Sequence, residues 1–146
     1  MSPASPQSMP LPAPMPTSHI AVTIDRPFEE VNAFLADPSN WPSWASGLGT
    51  LRRQVDGSWV ADQAGGRATI AFTPRNEFGV LDHRVTTPEG HVIDVPLRAI
   101  PNGRGCEVVL TLFRHPAMDD ATWERDQDWV KKDLEKLRML RTQVAQ

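Results

Sequence analysis

The chain has no tyrosine among its 146 residues and a single cysteine, Cys106. One cysteine excludes an intrachain disulfide, so the core alone must hold the fold; at the start of an expected strand, Cys106 reads as a small buried residue. No stretch approaches the roughly 18 consecutive apolar residues of a membrane span. Neither sign of charge dominates: the net charge is −3 with acids and bases interspersed, which gives no electrostatic footprint for nucleic acid. His19, His83, His91 and His115 stand at no metal-ligand spacing from one another or from Cys106, so no metal is expected. Gly47-Leu48-Gly49 lacks the third glycine and the strand-to-helix setting of a dinucleotide fingerprint, and there is no P-loop or G-x-S-x-G, so no cofactor is expected either.

Two segments are defined by what they omit. Residues 1–17 carry no charged side chain and interleave Pro3, Pro6, Pro10, Pro12, Pro14 and Pro16 with Ser, Ala and Met. Such a tail buries too little to offset its ordering entropy and is expected to be extended and mobile, with the folded domain running over 18–146. It has neither the basic start nor the apolar run of a signal peptide, and the default location is cytoplasmic. From Pro116 to Gln143 there is no glycine and no internal proline. Asp119 and Asp120 open that segment and Lys131, Lys132, Lys136, Arg138 and Arg141 crowd its end, the order a helix dipole favours. At 100° per residue Trp123, Val130, Leu134 and Leu137 share a narrow stripe, which predicts one long amphipathic helix.

Between these lie strands and turns. Ile20, Val22 and Ile24 alternate with Ala21, Thr23 and Asp25, a half-buried strand. Pro27 then opens a short helix with Phe28, Val31, Phe34 and Leu35 on one side, ending before Pro38. Trp41-Pro42-Ser43-Trp44 makes a second short helical turn. Strands are expected over 48–55, 58–63, 67–73, 79–87, 91–100 and 105–114, and connections so short force antiparallel neighbours.

This order resembles the helix-grip superfamily of START lipid-transfer domains, Bet v 1-like proteins and polyketide cyclases/dehydrases (the SRPBCC group). The resemblance covers residues 18 to 143. It is carried by the element order, by Asp37-Pro38-Ser39-Asn40-Trp41-Pro42-Ser43-Trp44 and by Asp133-Leu134-Glu135-Lys136-Leu137; Phe78-Gly79-Val80-Leu81-Asp82-His83 and Leu112-Phe113-Arg114-His115-Pro116 are similar to those of a bacterial branch. It implies an α+β fold, a curved antiparallel sheet of six to seven strands wrapped around a long C-terminal helix, with two short helices after the first strand. It also implies an apolar pocket between sheet and helix, which hosts carriers, sensors, enzymes and ATPase regulators in different relatives.

Period two places Ala68, Ile70 and Phe72, then Ile93, Val95, Leu97 and Ala99, and then Leu81, His83 and Val85 on inward faces. The lining expected for a small apolar ligand is therefore Trp41, Trp44, Trp59, Phe72, Leu81, His83, Val95, Leu97, Arg114, Trp123, Asp126 and Val130. His83 reads either as a core histidine bonded to a neighbour or as a cavity acid/base. Asp126 and Asp133 flank the apolar stripe one heptad apart, roughly 10 Å along the axis; each reads as a ligand contact or as a buried acceptor that fixes the helix. Arg98 and Arg114 read as ligand-carboxylate contacts or as surface ion pairs.

Three functions follow. The first is binding of an apolar or amphipathic, lipid- or polyketide-like molecule by a carrier or sensor, monomeric or weakly dimeric. In that case filling the pocket at Ala99 should abolish binding. The second is cyclase/dehydratase chemistry with His83 as acid/base and Asp126 or Arg114 as its orienting partner, although the missing tyrosine removes a common donor for ketone polarisation. The third is an interaction module that regulates a partner.

Overall fold

The computed structural model describes residues 10–63 and 65–144; the mobility expected of residues 1–9 lies outside them. Strand β1 (Thr17–Ile24) leads into α1 (Phe28–Leu35) and a short 3-10 helix (Pro38–Ser43). There follow β2 (Thr50–Arg53), β3 (Trp59–Gln63), β4 (Gly66–Phe72), β5 (His83–Thr86), β6 (Val92–Val95), β7 (Leu97–Asn102), β8 (Gly105–Phe113) and α2 (Asp120–Val144). All pairings are antiparallel, in the orders β1-β8-β7 and β2-β3-β4-β5-β6. Among the described residues the strand count is thus eight. No helix among the described residues is long and apolar enough to cross a membrane.

The difference from six or seven strands is made at Pro96. The segment expected to be one strand over 91–100 pairs with β5 up to Val95 and with β8 from Leu97 onward. Proline has no N–H to give a ladder, so it is placed where the chain changes sheets. The expected strand 79–87 divides in the same way: Gly79 and Leu81 bond to Ala99 and Leu97 of β7 (2.9 and 2.8 Å), and only from His83 does the chain join β4 and β6. The two sheets therefore run into each other along one curved surface. Gly79 permits the close approach: its φ is +76°, and an added Cβ would stand 2.0 Å from the Ala99 carbonyl oxygen.

The tail boundary also shifts. Thr17 and Ser18 are already in β1 opposite Phe113 and Leu112, and the Pro16 carbonyl accepts from Arg114 N–H at 2.8 Å. At the other end α2 starts at Asp120 rather than Pro116. Asp119 caps it, accepting from Thr122 N–H at 2.7 Å, because a free side-chain oxygen there satisfies an amide that the first helical turn leaves unpaired.

The main core forms where β1, β7 and β8 meet α1 and α2. Ile24, Val31, Leu35, Leu97, Val108, Leu134 and Leu137 are essentially inaccessible, and Cys106 lies among them. Burial pushes the Cys106 thiol up to about 11, so it is packing rather than a nucleophile. A smaller core of Ala61, Ala68 and Ile70 sits under β3 and β4.

Candidate functional site

The site begins with the turn after α1. Asp37 accepts from both the amide and the hydroxyl of Ser39 (3.0 and 2.7 Å), which starts the 3-10 helix. Asn40 Nδ2 and Trp41 Nε1 then donate to the Phe34 and Leu35 carbonyls (3.0 and 2.9 Å), in the last turn of α1 where carbonyls lack full intrahelical partners. A 3-10 helix has three residues per turn, so positions three apart eclipse. Trp44 follows as the cap, its N–H donating to the Trp41 carbonyl (3.0 Å), and the two rings meet tilted by 52° with centroids 5.0 Å apart, both buried.

That indole pair walls a cavity of about 320 Å³ between α2 and the end of the sheet. The turn contributes Trp41, Trp44, Ala45, Gly47 and Leu48; β8 contributes Leu110 and Leu112; β5 contributes His83; α2 contributes Asp126, Trp129, Val130 and Asp133. The helical four are spaced i, i+3, i+4 and i+7, one stripe of α2. The register of β8, apolar on both faces, is now fixed: Cys106, Val108, Leu110 and Leu112 point to the helix side, opposite Ile24, Val22, Ile20 and Ser18.

Of the residues expected to line a pocket, the structure brings Trp41, Trp44, His83, Asp126 and Val130 together around this cavity. The others stand elsewhere. Leu81 and Leu97 are packed into the core, with Val95 partly buried against it. Phe72 meets the edge of Trp41 at 5.0 Å and Trp59 meets Phe72 at 6.3 Å, so both stand behind the indole wall. Trp123 is half-buried on α2 outside the cavity. Arg114 donates to the Met118 carbonyl and to Asp120 (3.1 and 2.6 Å), tying β8 to the start of α2. Arg98 forks onto Asp82 at 2.8 Å through both nitrogens, a pair on the outer face. Ala99 is in the packed core, so a cavity-filling substitution belongs at Leu112.

His83 is packed edge-on against Trp41 at 4.8 Å, with Phe72 5.8 Å away. Its Nδ1 lies 3.2 Å from the Leu81 carbonyl oxygen. A carbonyl only accepts, so Nδ1 carries the proton and Nε2 is left as the acceptor nitrogen. Burial lowers the pKa of this imidazole below 6.5, against the opposing pull of the Leu81 carbonyl and Asp82, and keeps it neutral.

Pattern reading left Trp129 out of the site, along with Ala45, Gly47, Leu48, Leu110 and Leu112, and offered Asp133 as either a ligand contact or a buried acceptor. The Trp129 indole N–H donates to Ser46 Oγ (2.6 Å), whose hydroxyl donates to Asp133 Oδ1 (2.7 Å). This relay fastens α2 to the loop after the indole pair. Asp133 is thereby a satisfied acceptor whose partner is a loop hydroxyl. Its carboxyl is raised above the usual range by burial, with the Ser46 bonds and Lys136 pulling the other way. The available signal was the spacing Asp126, Trp129, Val130, Asp133, which puts the indole on the carboxylates' stripe. Among the described residues no group of three His, Cys, Asp or Glu is placed to hold a metal ion.

A curved antiparallel sheet closed by a long terminal helix, with a cavity between them, defines a helix-grip protein. The sequence profile described as polyketide cyclase / dehydrase and lipid transport matches residues 15–143, and the chain belongs to that family. The fold is shared with the protein XoxI from Bacillus cereus (TM-score 0.71, 10% identity, covering 90% of this chain and 99% of that one). It is shared also with a START superfamily protein from Mycobacterium smegmatis (0.67, 12%, 88% and 98%). A third similar structure is Ara h 8.0201 (0.62, 9%, 88% and 99%). No curated protein matches the chain in sequence.

Proposed function

We propose that this protein binds one apolar or amphipathic small molecule in the cavity between α2 and β8, as a carrier or sensor. The observation behind the reading is the lining: two buried indoles, Leu48, Leu110, Leu112 and Val130 around about 320 Å³, with only a few polar groups. Ligand pockets run from about 300 to 1,000 Å³, so this one suits a molecule of one or two rings better than a two-chain lipid. The test is native mass spectrometry of purified protein together with titration of an apolar fluorophore. A discrete mass increment lost on denaturation, and fluorophore binding lost in Leu112→Trp, are expected. Undiminished binding in Leu112→Trp would remove the cavity from the reading.

A second reading rests on His83. A neutral imidazole lining the cavity, with Nδ1 held by the Leu81 carbonyl and Nε2 free to accept, is suited to take a proton from a carbon next to a ligand carbonyl, as a cyclase/dehydratase requires. The orienting partner is then the Leu81 carbonyl, since Arg114 is engaged at the start of α2. Turnover of a poly-carbonyl substrate that falls away as His83 is protonated, and vanishes in His83→Gln, is the expected signature; full activity in that variant rules the role out.

A further inference from the structure

The cavity carries charge of only one sign. Asp126 and Asp133 line it, no lysine or arginine does, and His83 adds no positive charge because burial disfavours its protonated form. The two arginines that sequence offered for a ligand carboxylate are both occupied, Arg98 by Asp82 and Arg114 by Met118 and Asp120. The carboxylates themselves differ. Asp133 already accepts from Ser46 and lies near Lys136. Asp126 has no hydrogen-bond or ion-pair partner among the described residues, and it stands one turn before Trp129 on the cavity stripe. A carboxylate partly withdrawn from water gains most from a cation with N–H donors, and indole faces attract cations as well. A second carboxylate brought into the same cavity would be repelled by both aspartates.

We infer that the ligand is a ring-bearing amphiphile whose polar end is a protonated amine held by Asp126, and that the cavity turns away carboxylates of the same shape. The inference deepens the binding reading above and rests on it.

Three probes with one aromatic body separate the two: naphthylethylamine, naphthylethanol and naphthylacetate, titrated by calorimetry into the full chain near neutral pH. The amine is expected to bind about tenfold or more tighter than the acid, with the alcohol between them, the size of one charge-assisted contact. In Asp126→Asn the amine-to-acid ratio should collapse towards one. Asp128→Asn, the same charge change on an exposed part of α2 away from the cavity, should leave the ratio near that of the unmodified chain. If the alcohol binds but the acid matches or exceeds the amine, or if both substitutions move the ratio equally, the charge assignment is overturned while the binding reading stands. If none of the three binds, both fail. The ratio on the unmodified chain is decisive even if a variant does not fold.

Discussion

The two halves of α2 present the same side of one helix to the rest of the molecule, and they are used differently. In the second half Leu134 and Leu137 are 1% and 0% exposed, and Arg141 lies over the Phe34 ring at 4.4 Å with Glu30 at 3.5 Å. In the first half the same stripe carries Asp126, Trp129, Val130 and Asp133 along a cavity. What differs is the opposite wall. Beneath the second half β1 and α1 supply side chains that fill the space. Beneath the first half the sheet ends at Leu110 and Leu112, and the indole pair stands to one side, leaving room. A helix can thus anchor a fold with one half and offer a site with the other, with no change in its own periodicity.

The largest break in that comparison should come from truncating equivalent positions. Leu137→Ala removes a sealed side chain and is expected to cost about 2–5 kcal/mol, the range for a buried leucine leaving a cavity. Val130→Ala only enlarges a space already present, and about 1 kcal/mol or less is expected. Urea unfolding of the two variants reads the difference directly; equal losses would mean the first half is packed as tightly as the second.

Next in size is the fastening between helix and loop. Ser46→Ala removes the hydroxyl that joins Trp129 to Asp133, leaving a half-buried carboxylate and an indole N–H without that partner. About 1–2 kcal/mol is expected for such a loss. It should appear as faster hydrogen exchange in residues 44–49 before it appears in the second half of α2. Uniform loss along α2 would show that the relay does not separate the halves.

Much of this architecture was legible in the sequence because its signals are periodic. The alternation from Ile20 to Ile24, the breaker-free run after Pro116 and the Asp-Pro-Ser-Asn-Trp-Pro-Ser-Trp turn each have a local physical cause. The corner at Pro96 was not legible from period two, because Val95, Leu97 and Ala99 keep the same face while the partner strand changes from β5 to β8. The site was legible only in part for a related reason. Periodicity says that Leu81 and Leu97 point inward; it does not say whether they meet a void or one another. The same limit hid Trp129, which is 46% exposed yet lines the cavity.

His83 offers a subtler contrast, since it is the titratable group set into the wall behind the first half. Burial holds its imidazole below 6.5 in the folded chain. As pH falls through 6.5 the unfolded chain takes up a proton that the folded chain refuses, so stability falls on acidification and recovers above that value. Unfolding midpoints followed from about pH 8 down to pH 5 should show this slope in the native chain and lose it in His83→Gln. A slope that survives the substitution would assign it to other groups.

The smallest effect is expected furthest from both halves, on the outer face of β5 and β6. Arg84 and Asp94 face each other across the strands at 2.7 Å, both more than half exposed. The same chemistry at Arg98 and Asp82 is less exposed, and Asp82 also accepts the Leu97 amide at 2.9 Å, where the two sheets meet. Solvent screens the first pair, and the cost of ordering two long side chains offsets most of the attraction, so Arg84→Ala should leave stability almost unchanged. Arg98→Ala leaves Asp82 its amide contact but strips its counter-charge, and should cost more, about 1 kcal/mol. The ordering of these two variants in salt-dependent unfolding is the finer test. If Arg84→Ala proves the costlier, the ion pair at Asp82 adds nothing to the junction between the sheets, which then rests on its backbone bonds and packing.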